Sequence, residues 1–274
     1  MLSIFLLLAA LASVIVWLLR EPLFRGWQRA RVRSKPFPPE WRDILRRQVP
    51  FVSSLPADLQ LQLKKHIQVF VAEKPFIGCA GLEVTEEMRV VVAAQACLLL
   101  LNRRTDYFPG MSQVLLYPSS FLVRRERTDA LGLMHDDRRI LAGESWSIGQ
   151  VVLSWDDVVR GAADPGDGRN VVIHEFAHQL DQESGGANGA PLIAGGRRQR
   201  RWAFVMGAEY AGLTRRLADG APSMLDAYAA TSPAEFFAVA SEEFFERPAL
   251  LAAEHPDLFA VLSDYFQLRP QTWS

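Results

Sequence analysis

The sequence predicts an α+β fold, with helices first, a β-rich middle and helices again to the C-terminus. Three observations carry this. Apolar residues recur at helical spacing early and over roughly the last hundred residues. Short β-branched runs bounded by Pro, Gly and polar residues fill the middle. The two kinds of element are grouped rather than alternating, which argues against a βαβ succession.

The chain opens with "LSIFLLLAALASVIVWLL", Leu2 to Leu19, 18 residues without a charge. As a helix this run would be about 27 Å long, near the lower limit for crossing a bilayer. Arg20, Arg25, Arg29, Arg31, Arg33 and Lys35 follow, with Glu21 the sole acid among them. Nothing but Met1 precedes the run, so the positive n-region of a cleaved signal peptide is missing. These features predict an uncleaved transmembrane anchor over 1–20 at the inner membrane, with the body of the protein in the cytoplasm. The basic flank suits anionic lipid heads. Cleavage near "ALAS", giving a secreted or periplasmic protein, is the alternative.

Residues 21–49 read as a basic, proline-containing linker, stiff and extended over "SKPFPPEW", Ser34 to Trp41. One domain, 50–274, follows without repeats. In "PADLQLQLKKHIQVFVAEKPF", Leu59, Leu63, Ile67 and Phe70 predict a helix stopped by Pro75. "EEMRVVVAAQACLLLLNR" predicts a central, more apolar helix. "QVLLYP" and "SSFLVRR" read as strands, and "MHDDRR", with His135, as a polar loop. In "ESWSIGQVVLSW" the apolar phase changes across Gly149-Gln150, which predicts a bulge or tight turn.

Composition excludes several functions. The net charge of -1 leaves no basic field for nucleic acid. The run "RRQRRW", Arg197 to Trp202, reads as a solvated helix face. Two cysteines, Cys79 and Cys97, make no disulfide framework and read as buried thiols.

The chemistry concentrates in "NVVIHEFAHQLDQESGG", Asn170 to Gly186. Asp167 or Asn170 caps a helix that ends before Gly185-Gly186. His174, His178 and Asp181 fall at i, i+4 and i+7 on one face, while Ile173, Phe176, Ala177 and Leu180 face the core. Two imidazoles at this spacing reach one Zn²⁺ from the same side. Glu175 stands beside them, where a general base is needed. With five histidines in 274 residues, H-E-x-x-H arises by chance in roughly half a percent of such chains.

A catalytic zinc needs a third protein ligand. The metzincin extension requires glycine at 181 and histidine at 184, and Asp181 and Ser184 exclude it. His255 precedes a proline and His135 lies in polar sequence, so a glutamate fits better. Glu183, Glu209, Glu235, Glu242, Glu243, Glu246 and Glu254 are the candidates. In "TSPAEFFAVASEEFF", Ser232, Pro233 and Glu235 also form a helix start, so Glu235 either binds metal or closes a capping box. Spacing does not choose.

"VVIHEFAHQLD" with "GANGAP", together with "DAYAATSPAEFFAVASEEFF" and "GESWSIGQVVLSWDD", resembles the Mlc titration factor A family of zinc peptidases. The similarity runs over roughly Pro50 to Phe266. More distantly, the chain is similar to the catalytic domain of anthrax lethal factor. The resemblance implies a zincin-like metallopeptidase fold, an active-site helix beside a small mixed sheet, with a helical C-terminal part. It implies His174, His178 and Glu235 as zinc ligands and Glu175 as base. Tyr228, seven residues before Glu235, would assist the oxyanion, or else be a core aromatic. Asp181 would support a ligand histidine from behind, or else be a solvated acid.

The expected activity is hydrolysis of a peptide or protein substrate by metal-activated water. The alternative is a membrane-anchored regulatory protein that binds a transcriptional repressor and carries a structural metal.

Overall fold

The computed structural model describes residues 23–273 apart from 120, 129–133, 142, 147 and 148. The apolar run Leu2 to Leu19, and with it the expected anchor, lies outside the described residues. Among those described, no helix is long and apolar enough to cross a membrane.

Helix α1 covers residues 23–34 and α2 covers Pro39–Gln48, so most of the stretch expected to be a linker is helical. Pro39 is the physical reason. It occupies the first helical position, where a missing N–H costs nothing and a fixed φ suits the helix. Trp41, Ile44 and Leu45, at i, i+3 and i+4, then enter the core.

Helix α3, Ala57–Glu73, buries Leu59, Leu63, Ile67 and Phe70 as their spacing predicts. Helix α4, Glu86–Ala96, is capped by Thr85, whose Oγ1 accepts from Met88 N at 3.2 Å. Every residue from Val90 to Ala96 is buried, so α4 is the central helix.

The main sheet holds β1 (Phe76–Gly78), β2 (Gln113–Tyr117), β5 (Gly143–Trp146) and β6 (Gln150–Ser154) in the order β1-β2-β6-β5. The first three in that order are parallel, and β5 runs antiparallel at the edge. The phase change at Gly149-Gln150 is the β5–β6 hairpin turn. Gly149 has φ +73°, and a Cβ there would meet Gly110 O at 2.4 Å, so only glycine fits. Strands β3 (Phe121–Thr128) and β4 (Met134–Leu141) pair with each other as a separate antiparallel ribbon, Phe121 opposite Leu141. His135 therefore lies on a strand and not in a loop.

The rest is helical: α5 (Trp155–Ala163), α6 (Val171–Gln182), α7 (Gly196–Ala218), α8 (Pro233–Glu246), α9 (Pro248–Glu254) and α10 (Pro256–Phe266). Helix α4 packs against α2, α3, α5 and α6, and α8 packs against α6, α7, α9 and α10. Helix α6 is thus the shared wall between two helical layers, with β5 and β6 beside it.

Candidate metal centre

Helix α6 starts at Asn170, whose Oδ1 accepts from Ile173 N at 3.0 Å. The same side chain donates Nδ2 to Gln95 Oε1 at 2.9 Å and to Glu246 Oε1 at 3.1 Å. The cap is therefore tied to α4 on one side and to α8 on the other. Ile173, Phe176, Ala177 and Leu180 are buried, and Phe176 stacks edge-on against Phe108 at 4.8 Å between ring centroids. This apolar face fixes the rotation of α6 and turns His174 and His178 away from it, their rings 4.9 Å apart.

Glu235 comes to them from the first turn of α8. Ser232 caps that helix, its Oγ accepting from Glu235 N at 3.2 Å, and Pro233 holds the first position. The carboxylate goes elsewhere. Glu235 Oε2 lies 3.0 Å from His174 Nε2 and 3.3 Å from His178 Nε2. The second half of a capping box, the Glu235 carboxylate on the Ser232 amide, is not formed: Ser232 caps the Glu235 amide, while the carboxylate turns to the imidazoles. The three donor groups lie with their ligand atoms within 4.8 Å of one another, a set that could hold a metal ion.

Glu242, two turns along α8, backs the site. Its Oε1 lies 2.8 Å from His174 Nδ1, and its Oε2 accepts from Asn170 N at 2.5 Å. With Nδ1–H held by Glu242, a neutral His174 ring turns its Nε2 lone pair to Glu235 and His178. Donor atoms around a tetrahedral ion with bonds of about 2.0–2.1 Å stand roughly 3.3 Å apart. The two spacings to Glu235 lie near that edge, and the three donors form a set that could close on a small cation.

The electrostatics agree. Burial alone would push the His174 pKa down, yet the Glu235 and Glu242 carboxylates carry it well above the usual imidazole value. Burial likewise pushes the Glu235 carboxyl up, but the two imidazoles overcome this and hold it far below the usual carboxylate range. The carboxylates thus favour positive charge beside the imidazoles, and a proton and a cation would compete for that place.

Glu175 is 3% exposed, and its charge acts on His174. Tyr228 sits in the 3-10 turn Ala227–Ala230, where Asp226 Oδ1 accepts from Tyr228 N at 2.9 Å. It is 45% exposed, its ring centroid 6.0 Å from that of His174. It is a rim phenol, not a core aromatic. Asp181 is fully buried, so it is not a solvated acid. Nor does its hydrogen bond go to an imidazole. Its Oδ2 accepts from Gly189 N at 2.7 Å and pins the loop after α6. The backing of His174 falls instead to Glu242. One signal could have found it: Glu235 and Glu242 are seven residues apart, on one face of a helix.

Glu246, a turn beyond Glu242, gives a pH prediction. Burial, reinforced by the charges of Glu242 and Asp167, pushes its carboxyl up from 4.5 to about 8. Between those values the folded state holds a proton that the unfolded state has lost, so this group's contribution to stability falls as pH rises. Glu246→Gln keeps an oxygen for Asn170 and removes the titration. Its melting temperature should gain on the parent's progressively from pH 5 to pH 8, by about 2 °C or more at the upper end. A constant difference across the window would remove Glu246 from the account.

The profile of the family described as glucose-regulated metallo-peptidase M90 matches residues 24–267. The chain belongs to this family. Among individual relatives of this M90 chain, the uncharacterized protein slr2042 of Synechocystis is 36% identical over 271 residues, 98% of each chain. The Mlc titration factor A of Escherichia fergusonii is 35% identical over 235 residues, 85% of this chain and 87% of its own. That of Klebsiella pneumoniae (strain 342) is 35% identical over 225 residues, 81% of this chain and 84% of its own. The matched residues include nearly all of α1 and the whole of α2 as well as the site.

Proposed function

We propose that the chain is a zinc-dependent peptidase in which His174, His178 and Glu235 hold one ion. The observation that carries this reading is the meeting of three donor groups within 4.8 Å of one another next to the buried carboxylate of Glu175. When bound, zinc supplies Lewis acidity that polarises a carbonyl and makes water more acidic. Glu175 takes the proton of the attacking water and delivers it to the leaving amine. Tyr228, at the wet rim, donates its O–H to the oxyanion as charge develops. Among the described residues strand β5 borders only β6, and its other edge would pair an extended peptide through backbone hydrogen bonds. Such pairing selects substrates by shape more than by sequence.

The test is a peptide-library digest with the full chain in detergent, with and without chelator, read by mass spectrometry. Cleavage that chelator abolishes and zinc restores is the expected result. Absence of chelator-sensitive cleavage would sink the reading. The name of the relatives, Mlc titration factor A, favours a second one, in which this chain captures a regulatory protein and the ion is structural. Under it, the digest stays silent.

A further inference from the structure

Helix α1 has two unlike faces. Arg29 turns to the domain, donating to Glu73 at 2.6 and 2.9 Å and to Asp106 at 2.5 Å. Its guanidinium also lies 4.8 Å from the centre of the Tyr107 ring. Val32, three residues on, packs against the core, and Gln68 Nε2 donates to the carbonyls of Lys35 and Pro36 at 3.2 Å each. The hydrogen bonds to Glu73 and Asp106 outweigh burial and raise the Arg29 pKa, so its charge is permanent. Helix α1 is therefore docked on α3 and the loop around Asp106, not tethered loosely.

The opposite face is largely open among the described residues. Leu23, Phe24 and Trp27 are 67%, 55% and 58% exposed. The Phe24 and Trp27 rings stack at 6.2 Å, and the Arg31 guanidinium lies 5.6 Å from the Trp27 ring. At roughly 100° per residue, these four side chains share an arc of about 100°, and Arg29 and Val32 point the other way. Arg25, Arg31, Arg33 and Lys35 are all exposed around this helix.

The chain just before α1 says what covers this face. The uncharged run ends at Leu19, four residues ahead of Leu23. Four residues reach at most about 14 Å. With that run in a bilayer, α1 begins within the headgroup layer. Exposed Trp and Phe with arginines are the side chains that this layer favours, and anionic heads match their charge.

We infer that the Leu23–Phe24–Trp27 face of α1 is a seat on an anionic bilayer surface, and that Arg29 transmits this seat to the domain, holding it in one orientation. This does not depend on the peptidase reading. The full chain is reconstituted into vesicles of phosphatidylglycerol with plain or brominated phosphatidylcholine, and tryptophan emission is recorded for the parent, Trp27→Phe and Trp17→Phe. The emission lost in Trp27→Phe, obtained by difference, should be blue-shifted and about twofold weaker in brominated vesicles. Trp17→Phe should remove a second quenched component. Quenching confined to Trp17, or absent from both, overturns the inference. So does a Trp27 component shielded from both brominated lipid and aqueous iodide, which is the signature of a second copy covering the face.

Discussion

Under the proposed mechanism, Glu175→Gln should keep metal binding and lose peptide hydrolysis by about 10²–10⁴-fold in kcat/KM. The substitution is close to isosteric, so the buried position does not need to repack. It removes the one buried carboxylate beside His174 that neither Glu235 nor Glu242 replaces, since both are engaged with imidazole nitrogens. The two measurements are peptide turnover and elemental analysis of the same sample. Full turnover at full metal content would take Glu175 out of the reaction.

Glu235→Gln should weaken metal affinity by more than about 100-fold, and Glu242→Gln by about 10–100-fold. The order follows from what each carboxylate touches. Glu235 faces both imidazole Nε2 atoms, whereas Glu242 reaches Nδ1 of His174 alone and orients a donor without being one. Competition with a chromogenic chelator gives the affinities. The helix start survives Glu235→Gln because Ser232 Oγ bonds to the amide of that residue and not to its side chain. Unchanged affinity in Glu235→Gln would return Glu235 to the capping role alone. Equal losses in both variants would mean that the site collapses when either carboxylate changes.

Helix α6 was legible in the sequence because every signal was local: an asparagine cap, an apolar face of fixed period and two histidines one turn apart. The completion of the site was less so. Glu235 fits two assignments, and no local pattern tells a carboxylate that folds back onto its own helix start from one that reaches across to another helix. The family resemblance singled it out. Glu242 stayed one glutamate among seven because its role depends on how α8 lies across α6. The contact of Asp181 with Gly189 was not legible, since a loop that returns to the helix leaves no mark in the spacing. Helix α2 was hidden by its own prolines, which serve equally well to stiffen a linker and to open a helix. The parallel pairing of β1, β2 and β6 joins segments far apart in the chain, and no short pattern records it.

The three groups that could hold an ion come from two helices, with His178 and Glu235 separated by 57 positions along the chain. A cation held between them closes a covalent-like loop around α7 and the segments that flank it. Closing a loop of that length removes freedom chiefly from the unfolded chain, as a cross-link does. The ion would then act as a removable staple, and the protein's persistence would rise and fall with the free metal around it.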